Sequence, residues 1–257
     1  MLLTEANYYS REANLEYLSV SQYKDFQKCE AMALATLRGE WGRPATTALL
    51  VGSYVDSWFE GTLDAFCEAH PEIYKKDGTL KADFLQAEEL IAFVQRDPMF
   101  MEYMSGRKQV ILTSELFGAK WKIKIDSYHP DKIVDLKVMR SMERVAGKSF
   151  VEYWGYDLQM AVYPAVEGND LESYLAVVTK QDPPDKEIIH IPKWRRIELL
   201  EEVERNTPRI LAVKTGQVPP QRCGVCEYCR ATKMITEPID FELVGLSTAE
   251  RRAILGG

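Results

Sequence analysis

Asp135-Leu136-Lys137 closes the run KWKIKIDSYHPDKIVDLKV, and its residue types and spacing suit phosphodiester chemistry. Side chains alternate along a strand, so Asp135 and Lys137 point the same way while Val134, Leu136 and Val138 take the other face. Asp126 stands upstream, across a turn. Two carboxylates are hard ligands for Mg2+ (or Mn2+), joined by the Leu136 carbonyl and by water. Such an ion polarises a phosphate and lowers the pKa of a bound water. An ammonium beside it positions or deprotonates that water and offsets charge building on the phosphate oxygens. A D-x-K pair standing alone is more often a surface ion pair, so the rest of the chain must decide.

The elements that would position these residues follow from periodicity and punctuation. Ser21 is an N-cap opening a helix over 21–37. Gly42, Arg43 and Pro44 mark a loop, and a second helix covers 46–69 with Val51, Val55, Trp58 and Phe59 as its apolar stripe. Residues 71–107 are polar and helical in pattern, a lid or an insertion. Strands are expected at 109–117, 120–128 and 132–139, with a turn at 128–131 around Pro130. In the second strand Trp121, Ile123 and Ile125 share one face, and Lys122, Lys124 and Asp126 the other. A helix over 150–166, a strand over 173–180 and a helix over 193–214 complete the order. That order predicts an α/β fold, a mixed central β-sheet flanked by helices.

Composition sets bounds on function. With 257 residues, 46% of them hydrophobic, the chain can bury a large core in one domain. No apolar run approaches a membrane span and the N-terminus is no signal peptide, so a cytoplasmic protein without a membrane partner is expected. A net charge of −7 argues against a basic nucleic-acid coat, yet a metal-dependent nuclease needs only a local basic groove. Such segregation exists: residues 190–233 hold nine Lys/Arg against five Glu, and 137–148 hold four bases against one acid. His70, His129 and His190 form no metal-ligand spacing, and no phosphate-binding glycine loop is present, which argues against NTP-driven translocation.

Five features in order carry a resemblance. Asp126 with Asp135-Leu136-Lys137 resembles the PD-(D/E)XK nuclease superfamily, and Gln159-x-x-x-Tyr163 resembles the Q-x-x-x-Y motif of its RecB-like branch. Gly52-Ser-Tyr-Val-Asp56 resembles that branch's G-x-x-x-H motif, with Asp in place of His. LSVSQYKDFQKCEAMA and RCGVCEYCR resemble members carrying an iron–sulfur staple, such as AddB-type and CRISPR-associated nucleases. RecE-like phage exonucleases are the most similar group, and the likeness covers residues 19–233.

The resemblance implies a restriction-endonuclease-like core, read as one domain over 1–257. Residues 19–44 supply an N-terminal helix with Cys29, 45–215 the nuclease core including the insertion at 71–107, and 216–257 a Cys-rich segment. Asp126, Asp135, Lys137, Gln159 and Tyr163 are the expected catalytic set, Gln159 and Tyr163 lying i, i+4 on one helix face. Asp56, which shares a face with Glu60, and Glu115 join Asp126, Asp135 and Leu136 as candidate metal ligands. Cys223, Cys226 and Cys229, with Cys29 as fourth ligand, suit a 4Fe-4S cluster better than Zn2+, whose ligands usually come in separated pairs. Cys67 is left as a buried thiol. The activity implied is a Mg-dependent exonuclease of phage or prophage recombination acting on duplex DNA ends. A single-strand annealing protein and a homo-oligomer are its implied partners. An endonuclease or single-strand nuclease of the same fold, and a non-catalytic DNA-binding module stapled by metal, stay open.

Overall fold

In a computed structural model the described residues are 1–42 and 46–255. Arg43 and Pro44 of the expected loop, and the ends of the segments placed at 44/45 and 257, lie outside them. The chain forms α1 (Arg11–Glu16), α2 (Val20–Lys28), α3 (Glu30–Arg38), α4 (Thr47–Glu60), α5 (Leu63–Ala69), α6 (Ala82–Gln95) and α7 (Pro98–Tyr103). Then come β1 (Val110–Leu116), β2 (Ala119–Ile125), β3 (Ser127–Tyr128), β4 (Lys132–Met139), α8 (Phe150–Trp154), α9 (Tyr156–Glu167), β5 (Glu172–Thr179) and β6 (Lys186–His190). The chain ends in α10 (Lys193–Lys214), α11 (Glu227–Ala231) and α12 (Thr248–Leu255). Among the described residues no helix is long and apolar enough to cross a membrane.

Contacts group the chain into two compact units. One comprises Met1–Arg43, Glu115–Trp121 and Glu202–Gly257; the other comprises Pro44–Ser114 and Lys122–Glu201. The second unit holds a four-stranded sheet in the order β3-β4-β5-β6, while β1 and β2 form a two-stranded sheet. β4 and β5 run parallel, and β3 and β6 flank them antiparallel, so the sheet is mixed as expected. Val134 and Leu136 of β4 and Ala176 and Val178 of β5 pack on Val51 and Val55 of α4 and on Leu90 and Val94 of α6. Fully burying a side chain of this size contributes roughly 1.5–3 kcal/mol, so these contacts fix α4 against the strand that carries Asp135.

Several elements differ from the sequence expectation, each for a local reason. Residues 71–107 are no polar insertion: Phe84, Ala87, Leu90, Ile91 and Val94 are buried and wall the core. The helix expected over 21–37 is two helices. Ser19 rather than Ser21 caps the first, accepting from the Gln22 N–H at 3.3 Å, and Cys29 breaks the run with an extended backbone (φ −165°, ψ 105°). The helix expected over 46–69 ends at Gly61, whose φ of 74° is left-handed. Ser149 and Glu152 form a capping box on α8, which stops at Gly155. β6 was not expected, being a short edge strand. Lys122, assigned to the polar face of β2, is buried.

Gly155 both ends α8 and starts α9 in the left-handed region (φ 63°). A side chain there costs about 1–2 kcal/mol. Gly155→Ala is expected to lower the urea midpoint by that increment divided by the slope of the transition, with the slope itself unchanged, and an unchanged midpoint would refute this account of the break.

Candidate active site

In the second unit, antiparallel pairing of Ser127 with Val134 and Tyr128 with Ile133 sets the geometry of the site. One step further along this register Asp126 falls opposite Asp135. The chain bends at Asp126 instead of continuing β2 into β3. Its side chain takes the place of a ladder bond: Oδ2 accepts the Leu136 N–H at 2.9 Å. Both carboxylates are thereby tied to the centre of β4.

Asp135 is only 2% exposed. Its Oδ1 accepts from Gln159 Nε2 at 2.6 Å. Its Oδ2 is buried without a hydrogen bond and faces the Lys137 ammonium as its counter-charge. Lys137 lies over the Tyr156 ring, with Nζ 5.0 Å from the centroid. Burial pushes Lys137 down, but the charges of Asp135 and Asp126 and the contact with Asp135 outweigh it and hold the ammonium above the ordinary lysine range. Lys137 is thus a cation in this arrangement, better suited to stabilising negative charge than to removing a proton from water.

Asp126 and Asp56 carry the strain. Burial, then the charges of Asp135 and Asp56, push Asp126 well above the usual carboxylate range, against the pull of Lys137 and the Leu136 N–H. Asp56 on α4 is pushed up to about 7 by burial, with Lys137 opposing and Asp135 and Glu60 adding to the rise. Negative charge is in excess here, with the Lys137 ammonium set against Asp135 Oδ2. Hard oxygen donors in that state fit a divalent cation. The oxygens of Asp56, Asp126 and Asp135 are not drawn tightly together, however. Among the described residues, the only His, Cys, Asp or Glu group of three or more with every ligand atom within 4.8 Å is made of cysteines.

The other expected residues are placed less centrally. Tyr163 is buried one turn beyond Gln159 on α9. Glu115 is exposed on β1, in the first unit. Two groups were missed. Gln109 is buried with a left-handed backbone (φ 52°) and donates to Asp126 Oδ1 at 3.4 Å. A non-glycine residue held in that region is strained and worth explaining, and nothing in its sequence context marks it. Tyr156 lies three residues before Gln159, so helical spacing alone could have put it on the same face. Lys108 is a further basic group here, its ammonium donating to the Met104 carbonyl and feeling the charge of Asp126.

In the first unit, Cys29 Sγ lies 3.6 Å from Cys229 Sγ, and Cys223 Sγ lies 3.9 Å from Cys229 Sγ. With Cys226, all four sulfurs fall within 4.8 Å of one another. The expected convergence of residues 29 and 223–229 is met. Cys67 is half-buried beside the core of the second unit.

The chain matches the family model of PDDEXK-like domains of unknown function (DUF3799) over residues 19–232. It is similar to the crystal structure of a candidate exonuclease from Eubacterium rectale, with 51% identity, coverage of 95% of this chain and 99% of that one, and a TM-score of 0.90. Another solved structure, SSO0001, shares 12% identity over 84% of this chain and 95% of that one at a TM-score of 0.31, too slight a likeness to carry argument. No curated protein matches the chain.

Asp56 gives a test that needs no substrate. An unfolded aspartate loses its proton near pH 4, whereas folded Asp56 keeps one to about pH 7. The metal-free fold therefore loses stability as pH rises from about 4 to 7, and the deficit is complete above that. Asp56→Asn is expected to unfold later than the native chain at pH 8 by an increment on the order of 2–4 kcal/mol. The gap should close towards pH 4 in chelator-treated thermal melts. Equal melting at pH 8 would remove the claim that Asp56 is held against its charge.

Proposed function

The chain belongs to the family of PDDEXK-like domains (DUF3799), and from that premise we propose that it is a divalent-cation-dependent deoxyribonuclease acting on duplex DNA ends. The observation that carries this reading is the Asp126 bend. It ties a second carboxylate to the backbone at Leu136, between Asp135 and Lys137. An ordinary surface ion pair needs neither a 2%-exposed aspartate nor a bent strand. The reading takes residues 1–257 as one nuclease domain.

Asp126, Asp135 and Asp56, with the Leu136 carbonyl, are the groups that would hold Mg2+. When bound, the ion supplies Lewis-acid polarisation of the scissile phosphate. Gln159 fixes one oxygen of Asp135, which leaves the other directed away from that bond. Lys137, charged and supported by Tyr156, offsets the negative charge that grows on the phosphate oxygens as water attacks. Lys124 and Lys108 add positive charge near the carboxylates and favour a polyanion entering an otherwise acidic site. Tyr163 is proposed to help orient Lys137 or to touch the DNA strand, and Glu115 to be a further ligand or an outer partner of the ion's ligands.

The likeness to RecE-like exonucleases extends the proposal to end resection in phage recombination, with single strands passed to an annealing protein and a homo-oligomer as the working form. The similarity to the Eubacterium rectale protein supports the exonuclease part.

With Mg2+, end-labelled linear duplex should be degraded while covalently closed circles stay intact; cutting of the circles would overturn the exonuclease reading. Lys137→Ala is expected to slow cleavage about 10²–10³-fold while DNA is still bound. It should also cost about 3 kcal/mol of stability, because Asp135 loses its buried counter-charge. Rates should be taken on protein shown folded by circular dichroism. Native turnover by that variant would exclude the assigned role.

A further inference from the structure

The four cysteines lie closer together than an iron–sulfur cluster allows. Thiolates on a four-iron cubane each sit outside a separate iron, which sets them roughly 6 Å apart. A single tetrahedral ion with metal–sulfur bonds of about 2.3 Å sets them roughly 3.8 Å apart. The observed separations are 3.6 and 3.9 Å, with no pair in the group beyond 4.8 Å. We propose that Cys29, Cys223, Cys226 and Cys229 bind one zinc ion as a four-thiolate structural site.

The surroundings hold the sulfurs at this spacing. Cys226 N–H donates to Cys223 Sγ at 3.3 Å, and Cys229 N–H donates to Cys226 Sγ at 3.4 Å. These bonds fold each C-x2-C step into a tight turn and stabilise thiolate charge. Gly224 makes the first turn with φ 82°, and a Cβ there would press to 3.1 Å on Thr248 Oγ1. Arg209 grips Glu30 through two bonds of 2.8 Å. Glu30 also accepts the Gln221 N–H at 2.7 Å, and the Ala31 N–H returns to the Gln221 carbonyl at 3.0 Å. That clasp binds the residues beside Cys29 to those just before Cys223. Opening the group to a cubane would mean moving the sulfurs about 2 Å further apart, against these bonds. Ala31, Met32, Trp41 and Tyr228 pack around the group. Cys29, Cys223 and Cys226 also line a cavity of about 590 Å3 with Lys28, Arg209 and Arg252. It gives an ion a way in.

Metal content decides the matter independently of DNA cleavage. The full chain, purified anaerobically from cells supplied with both iron and zinc, should contain one zinc per chain, no acid-labile sulfide and no broad visible absorption. Cobalt substituted for the zinc should give the visible bands of a tetrahedral thiolate site. About four irons with matching sulfide would overturn the proposal, and so would a metal-free chain in which all five thiols are titratable. Cys226→Ser, on the half-buried side of the group, should lose zinc to a chelator at least tenfold faster and melt several degrees lower. Native zinc retention by that variant would exclude Cys226 as a ligand, and if the variant fails to fold, the metal content of the native chain still decides.

Discussion

Asp135 sits in the middle of a sheet with Lys137 as its counter-charge, while Asp126 and Asp56 press two further carboxylates into the same field. Charges in that setting are costly unless they are paired and hydrogen-bonded. Much of the second unit serves to tolerate them. β4 is tied on both sides, parallel to β5 and antiparallel to β3, so its backbone cannot relax away from the repulsion. Gln159 and the Leu136 N–H each satisfy one carboxylate oxygen. Apolar packing of α4 and α6 on the opposite face of β4 offsets the electrostatic cost. The excess charge that lowers stability also gives the site its preference for a cation, so its stability and its chemistry oppose each other.

How much of this was legible follows from the range of each signal. Asp135 and Lys137 could be placed together from strand alternation alone, whereas Gln159 came from the resemblance of Gln159-x-x-x-Tyr163 to a family motif. The bend at Asp126 could not, because β2 and β3 read as one continuous alternating run. The exchange of a ladder bond for a side-chain bond is a cross-strand event, invisible in the spacing of residues on one strand. Gln109 is hidden for the same reason. Its left-handed backbone is imposed by what surrounds it, and glutamine has no preference for that conformation to betray it.

The broken helices separate local from tertiary causes. Gly61 and Gly155 end their helices in the conformation glycine adopts most easily, so those stops were readable once a left-handed cap was considered. Cys29 has no such excuse. Its extended backbone interrupts a run of good helix formers, and there it meets Cys229, 200 positions away, while the Ala31 N–H just beyond it bonds the Gln221 carbonyl. Residues 71–107 misled in the opposite direction. Their scattered charges suggest a polar face, whereas the buried stripe of Phe84, Ala87, Leu90, Ile91 and Val94 follows helical spacing and decides where the segment packs.

The two candidate metal sites differ in the softness of their donors, and that difference sorts the ions. Carboxylate and carbonyl oxygens suit a hard cation that keeps several waters and exchanges readily, as a hydrolytic site requires. Four thiolates suit a soft or borderline ion held without open positions, as a structural site requires. The cysteines close a loop that spans most of the chain, so an ion there restricts the unfolded ensemble far more than one bound among neighbours would. The carboxylates follow the reverse logic. Their repulsion destabilises the empty site, and binding the hard cation relieves it, so affinity arises from strain already present in the fold rather than from a closed cage of ligands. In the proposed reading the thiolate-bound ion stiffens the fold and the carboxylate-bound ion serves the reaction, and donor softness keeps the two sites from competing for the same metal.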